Sequence, residues 1–322
     1  MESLQNIKRR LRGVKNIGQI TKAMELVAAT KMRRSQEIAI ASRPYAFAAL
    51  DLLATLSRAL EATPGKTFST IPLLEKRGVK RTAIVLITSD KGLAGSFNAA
   101  VIRDFEKFAA ERGLDFSDPS YSFVAVGLKS AGYLEKRAPK LRERFVRFGD
   151  FTTMTQVRPL TDFLLRGFIE KEWDSVIVFS MNFRSALRQE VIRRQILPVD
   201  FVALKTAAQG LLPETGKFAE LIREHRVSFF NAEKERIDDY LIEPSPEAVL
   251  TALIPHLVEI EVYDIILEAN ASEHAARRAA MKNASDNASD LGEGLTVQYN
   301  KSRQATITSQ IIEIASGAEA LR

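Results

Sequence analysis

The chain has 322 residues with 46% hydrophobic content, no cysteine, and 46 Lys plus Arg against 40 Asp plus Glu, a formal charge of +6. That length allows one large domain or two ordinary ones with a filled core, and the lack of cysteine excludes a disulfide framework, a thiolate nucleophile and a Cys-ligated metal. No apolar run approaches the roughly 20 residues that span a bilayer, and the N-terminus lacks the apolar core of a secretory signal, so the expected protein is soluble and at most peripheral.

The charge is unevenly spread. Between Met1 and Arg43 ten basic residues (Lys8, Arg9, Arg10, Arg12, Lys15, Lys22, Lys31, Arg33, Arg34 and Arg43) stand against three acidic ones (Glu2, Glu25 and Glu37). Such an end seeks an acidic partner: nucleic acid, lipid head groups or an acidic protein surface. Leu4, Ile7, Leu11, Val14, Ile17, Ile20, Met24 and Val27 step by three or four residues, which predicts one long helix with a single apolar seam. Three successive steps of three from Leu11 to Ile20 predict a stammer, a local overwinding of a coiled coil. Gly13 and Gly18 each cost roughly 1 kcal/mol against alanine in a helix, so tertiary partners must hold the segment. Pro44 is expected to end or kink it, with a second helical run from Tyr45 to Leu60 before the turn at Thr63, Pro64 and Gly65. The basic run fits a solvated helix face. It also fits nucleic-acid binding, although aromatic residues for base stacking are missing from the first forty positions.

From Arg81 the pattern changes. RTAIVLITSD reads as a strand, followed by a helix from Asn98 to Arg112, a strand YSFVAVG from Tyr121, a short helix, RFVRFG from Arg144, a helix from Thr161 to Lys171 and a strand DSVIVFS from Asp174. Strands alternating with helices imply a largely parallel sheet covered by helices, a Rossmann-like α/β domain. QILPVDF from Gln195 adds an edge strand, where Pro198 confines it. The turn SDKGLAGSFN, Ser89 to Asn98, follows a strand and opens a helix, where backbone amides can meet a phosphate. It fits neither GxGxxG nor the P-loop pattern, and a tight turn explains Gly92 and Gly95 equally well.

Thr206 to Asp239 reads as an extended loop and a charged amphipathic helix. A helical pattern resumes from Glu247 to Leu267 with Leu250, Leu253, Leu257 and Ile260 on one side, and Pro255 is expected to bend it or interrupt a hydrogen bond. Further on, Ala271, Ala275, Ala279, Ile307, Ile311 and Ile314 make a slim stripe suited to a partner helix. Gly292 and Gly294 sit between two helical runs, so either neighbours hold a continuous helix or the helix breaks. Only His225, His256 and His274 are present, without HExxH or zinc spacing, and no GxSxG elbow occurs.

Three stretches carry a resemblance. SEHAARRAAMKNASDNA from Ser272, NKSRQATITSQIIEIASGAEA from Asn300 and QITKAMELVAATKMRRSQ from Gln19 resemble the terminal signatures of the gamma subunit family of F-type ATP synthases. The resemblance implies an α/β protein in which long N- and C-terminal helices form an antiparallel coiled coil around an inserted Rossmann-like domain. The corresponding parts are residues 1–62, a shaft helix; 78–205, the α/β domain; 206–239, an insertion-like segment; and 240–322, a foot and C-terminal shaft helix. It implies a rotor that couples a membrane ring to a catalytic head and has no active site, cofactor or metal of its own. The implied partners are the epsilon subunit, the c-ring, and three alpha and three beta subunits per chain, with no nucleic acid, at the cytoplasmic face of the inner membrane.

By the same resemblance Lys22, Met24, Lys31 and Arg33 face moving segments of the beta subunits, and Arg303, Gln304, Thr308 and Glu313 belong to a catch on an acidic beta loop. An arginine fork suits a carboxylate there. Gln310 replaces the family's usual Glu and removes one charge from that catch. YLIEPSP from Tyr240 resembles the element that meets the rotor ring: Tyr240 and Glu243 match, while Ile242 replaces an aromatic residue. The rivals from other classes are a basic coiled-coil nucleic-acid binder and a Rossmann-type enzyme.

Overall fold

The computed structural model describes residues 3–61, 71–138, 141–200 and 242–320. In chain order the elements are α1 (Leu4–Glu61), a 3-10 turn (Pro72–Leu74), β1 (Thr82–Ile87), α2 (Phe97–Glu111), β2 (Tyr121–Val126), α3 (Leu128–Leu134), β3 (Leu141–Phe145), α4 (Met154–Ile169), β4 (Ser175–Phe183), β5 (Gln189–Leu197) and α5 (Pro246–Ala320). They group into two compact units, Met1–Thr30 with Arg277–Arg322, and Lys31–Ala276, so that α1 and α5 each contribute to both. The 206–239 segment and Tyr240 lie outside the described residues.

The second unit is built on a five-stranded sheet of order β3-β2-β1-β4-β5. β1 pairs in parallel with β2 from Thr82↔Tyr121 to Ile87↔Val126, and with β4 from Thr82↔Ser175 onward. β2 and β3 are also parallel, while β5 closes the sheet antiparallel to β4. Every residue of β1 is buried, as an apolar run covered on both faces requires. On one side Phe105 of α2 meets Phe116, Phe123, Tyr133 and Phe179 edge to face, with centroids 5.5 to 6.3 Å apart. The same core takes Leu53 and Leu56 from α1 and Leu250, Ile254, Leu257, Val258, Ile265 and Ile266 from α5. The terminal helices therefore complete the domain's core.

Several boundaries differ from the sequence reading. α1 continues through Pro44 as a single helix to Glu61. A proline removes one backbone bond, and the burial of Leu53, Thr55 and Leu56 beyond it holds the helix together. α5 likewise runs through Pro255, Gly292 and Gly294 without a break. The third strand is Leu141–Phe145 rather than a run from Arg144. α4 begins at Met154, not Thr161, because Gln156 accepts the Thr153 N–H at 2.9 Å and Val157 and Leu160 are already buried; Pro159 lies inside it. The edge strand starts at Gln189, six residues before the expected Gln195, and Pro198 stands just past its end.

Candidate functional surfaces

In the first unit the covered positions of α1 step in strict alternation: Leu4, Ile7, Leu11, Val14, Gly18, Thr21, Glu25 and Ala28 are buried or half-buried. Ile17, Ile20 and Val27 are instead 56%, 59% and 52% exposed. There is thus no stammer. The seam keeps its heptad by passing, after Val14, onto small and polar side chains that an apolarity count does not see. On α5 the matching seam is Met281, Ser285, Ala288, Gly292, Leu295, Tyr299 and Ser302, again stepping by four and three. A Cβ on Gly18 would lie 3.4 Å from Ala288, and one on Gly292 would lie 3.9 Å from Val14, so the two helices run antiparallel. Within the seam Glu25 accepts from Lys22 at 2.9 Å. That bond, with the charges of Lys22, Arg278 and Lys282, holds its carboxyl below the ordinary range. Of the expected α5 stripe, Ala271 and Ala275 are buried but Ala279 is exposed.

The register that sets Val14 on Gly292 sets Leu4, the first residue of α1, near Ser302. From there α5 has no other described element beside it, and every residue from Arg303 to Ala318 is exposed among the described residues. Ile307, Ile311, Ile312 and Ile314 are between 47% and 73% exposed along this single helix. A lone helix is marginal in water, and an apolar one wants an enclosing surface.

In the second unit a cavity of about 50 Å³ lies at the C-terminal ends of β1 and β2, beside the Ser89–Asn98 turn. It occupies the place where an open α/β sheet binds a phosphate, but the protein fills that place itself. The Asp90 carboxylate accepts the N–H groups of Leu128 at 3.0 Å and Arg147 at 2.9 Å. Asn98 at the start of α2 accepts the Ser89 N–H at 2.9 Å. Gly127, at φ +93°, lets the chain pass so close that a Cβ would lie 2.1 Å from the Thr88 carbonyl. Ile266, Ala269 and Asn270 of α5 wall the opening. A carboxylate stands where a phosphate would need donors.

A family model described as ATP synthase matches residues 3–321. The chain is 36% identical over 322 residues to the ATP synthase gamma chain of Geotalea daltonii, covering 100% of both chains. It is 37% identical over 324 residues to that of Roseiflexus castenholzii, covering 100% of this chain and 99% of the relative. The chain belongs to the ATP synthase gamma chain family. Two solved structures share the fold. One is the central stalk and c-ring of the Tetrahymena thermophila mitochondrial ATP synthase, with TM-score 0.55, 23% identity and coverage of 83% of this chain and 99% of that one. The other is the Euglena gracilis mitochondrial ATP synthase in its OSCP/F1/c-ring form, with TM-score 0.60, 17% identity and coverage of 99% and 94%.

For a gamma chain, the nominated contact residues fall into distinct environments. Arg303, Gln304, Thr308 and Glu313 are all exposed on the lone stretch of α5. Lys22 is exposed but tied to Glu25, Met24 is half-buried, and Arg33 is exposed and 3.3 Å from Glu37. Lys31, about 30% exposed, is bonded to Asp150 at 2.6 Å within its own unit. Glu243 is exposed just before α5. Asp90, Asp150, Thr152 and Asn270 were not singled out by the sequence, because their roles depend on which loop meets which helix and no motif marks them. The relatives that match the whole chain, its basic N-terminal stretch included, are ATP synthase gamma chains, and nothing favours the nucleic-acid reading.

Proposed function

We propose that this gamma chain is the central-stalk rotor of an F-type ATP synthase, turned by a membrane c-ring inside a head of three alpha and three beta subunits, with an epsilon subunit beside it. The observation that carries the reading is the lone α5 stretch from Arg303 to Ala318, exposed throughout and dotted with isoleucines. An apolar tip turning in an apolar sleeve avoids fixed hydrogen bonds, which would favour one angle over the others. Interleaved with the isoleucines, Arg303, Gln304, Thr308 and Glu313 supply polar contacts to a beta subunit, as Lys22, Met24 and Arg33 do on α1. Tyr240 and Glu243 meet the rotor ring.

The chain itself is non-catalytic in this reading; the Asp90 carboxylate, held by two backbone N–H groups, occupies the crevice at the ends of β1 and β2 where a nucleotide phosphate would need donors. Its asymmetric shaft makes the beta subunits unequal, so that rotation forces each in turn through binding, synthesis and release. This is differential stabilisation of conformations by a moving ligand. No described helix is long and apolar enough to cross a membrane, and the proposed place is peripheral, at the cytoplasmic face of the inner membrane. Residues 1–62 and 240–322 act as shaft and foot, 78–205 as the α/β domain and 206–239 as an added segment.

The test is co-expression with the alpha and beta subunits of the same organism, followed by native mass and ATPase activity with and without residues 300–322. The expected result is one copy per three alpha and three beta, with assembly or coupling weakened by the deletion. A chain that stays apart from both subunits would overturn the reading.

A further inference from the structure

The loop between β3 and α4 touches both terminal helices. From α1, Lys31 Nζ lies 2.6 Å from Asp150 Oδ2, with each side chain about 30% exposed. From α5, Asn270 Nδ2 donates to Thr152 Oγ1 at 2.8 Å, and Thr152 is 2% exposed. Lys91, from the turn after β1, approaches the other Asp150 oxygen at 4.0 Å. Burial alone would push the Asp150 carboxyl up, yet Lys31 and Lys91 hold it below the ordinary range, so the charged pair is the resting state. Two helices and the turn after β1 thus meet at two residues of one loop, Asp150 and Thr152, beside the cavity walled by Asn270.

We propose that the Asp150–Thr152 loop is a clamp that locks the α/β domain to both terminal helices throughout the rotary cycle, with Lys31 acting inward on Asp150 and not outward on a neighbouring subunit. The proposal rests on the rotor reading. A domain that must follow the shaft needs attachment to both helices, since a grip on one alone leaves the pair free to shear. The apolar core already holds both helices to the sheet. The partly buried ion pair on one side and the hydrogen bond to buried Thr152 on the other add directional contacts that resist sliding, which non-directional apolar packing does not. Lys31 and Asp150 are positioning residues.

The experiment uses the assembled complex in inverted vesicles, measuring ions pumped per ATP hydrolysed. Lys31→Gln and Asp150→Asn are each expected to lower that ratio about twofold with ATPase turnover maintained, and the double variant is expected to be no worse than either single, as for two halves of one contact. Because the chain has no cysteine, Lys31→Cys with Asp150→Cys can be bridged specifically by a short bis-maleimide, and bridging is expected to restore the ratio. A loss with Lys31→Gln alone, Asp150→Asn being silent, would place Lys31 outward and overturn the clamp. So would bridging that stops turnover, or single variants without effect. If the unaltered chain fails to assemble with alpha and beta subunits, it is the rotor reading that fails.

Discussion

Gly18 faces the methyl group of Ala288 so closely that a Cβ added to the glycine would lie 3.4 Å from it. That is ordinary contact distance, so one methyl fits and nothing larger does. Gly18→Ala should leave the helix pair intact and raise stability by up to about 1 kcal/mol, the helix-propensity difference. Gly18→Leu should force the helices apart and cost about 1–3 kcal/mol through overpacking. Thermal unfolding of the three proteins side by side gives the order Ala, Gly, Leu; a leucine variant as stable as the parent would mean that the helices are not held at this spacing.

Gly167 sits on the face of Trp173, where a Cβ would come within 2.0 Å of the ring. The indole is 1% exposed, and its N–H donates to the Leu164 carbonyl at 3.0 Å, so the ring cannot move aside without losing that bond. Gly167→Ala should therefore destabilise the second unit by about 1–3 kcal/mol or more. Trp173 is the chain's one tryptophan, and its emission reports the environment directly. The variant should show a red-shifted maximum and a lower urea midpoint, and an unchanged spectrum would contradict the packing.

Much of this fold is legible in the residues. TAIVLI, YSFVAV and SVIVFS are β-branched and apolar throughout, and in a sheet covered on both faces such runs have little choice. The exposed tip is legible for the opposite reason, since isoleucines in a terminal helix with no apolar partner nearby in sequence announce an external sleeve. The seam of the shaft was misread because Gly18, Thr21 and Glu25 occupy positions that apolarity alone assigns to Ile17, Ile20 and Met24. Close helix approach selects small residues there, and Glu25 is tolerated because Lys22, Arg278 and Lys282 surround it. The Asp150 clamp was not legible, because 119 residues separate Lys31 from its partner and only the tertiary fold joins them.

Asp174 accepts the N–H groups of Arg81 and Lys80, both at 3.0 Å, just before β4. Burial would push its carboxyl up, but those two donors and the charge of Arg77, 3.8 Å away, hold it below its ordinary 3.8. A depressed carboxyl contributes stability that is fully present above its unfolded value and is lost as pH falls through the folded one. Asp174→Asn should therefore cost about 1–3 kcal/mol at pH 7, with the gap from the parent narrowing below pH 3.8. Urea titrations at pH 7 and near pH 3 test this, and a gap that widens in acid would reverse the sign.

Glu261 on α5 titrates in the opposite sense. Loss of water pushes its carboxyl from 4.5 up to about 7, a rise that Arg194 opposes and Asp264 adds to. When the folded value exceeds the unfolded one, the folded chain binds the extra proton between the two, so stability falls as pH rises from about 4.5 to about 7. Above that window the half-buried charge is carried at a cost; below it the group is neutral in the folded state and that cost is absent. Glu261→Gln keeps the shape and removes the charge, so it should raise the melting temperature at pH 8 and change it little near pH 4.5. The quantity to follow is the difference between variant and parent, since other carboxyls such as Asp174 titrate in both proteins and cancel. A difference that stays constant from pH 4.5 to pH 8 would mean that Glu261 keeps its charge when folded, with Arg194 compensating for its partial loss of water.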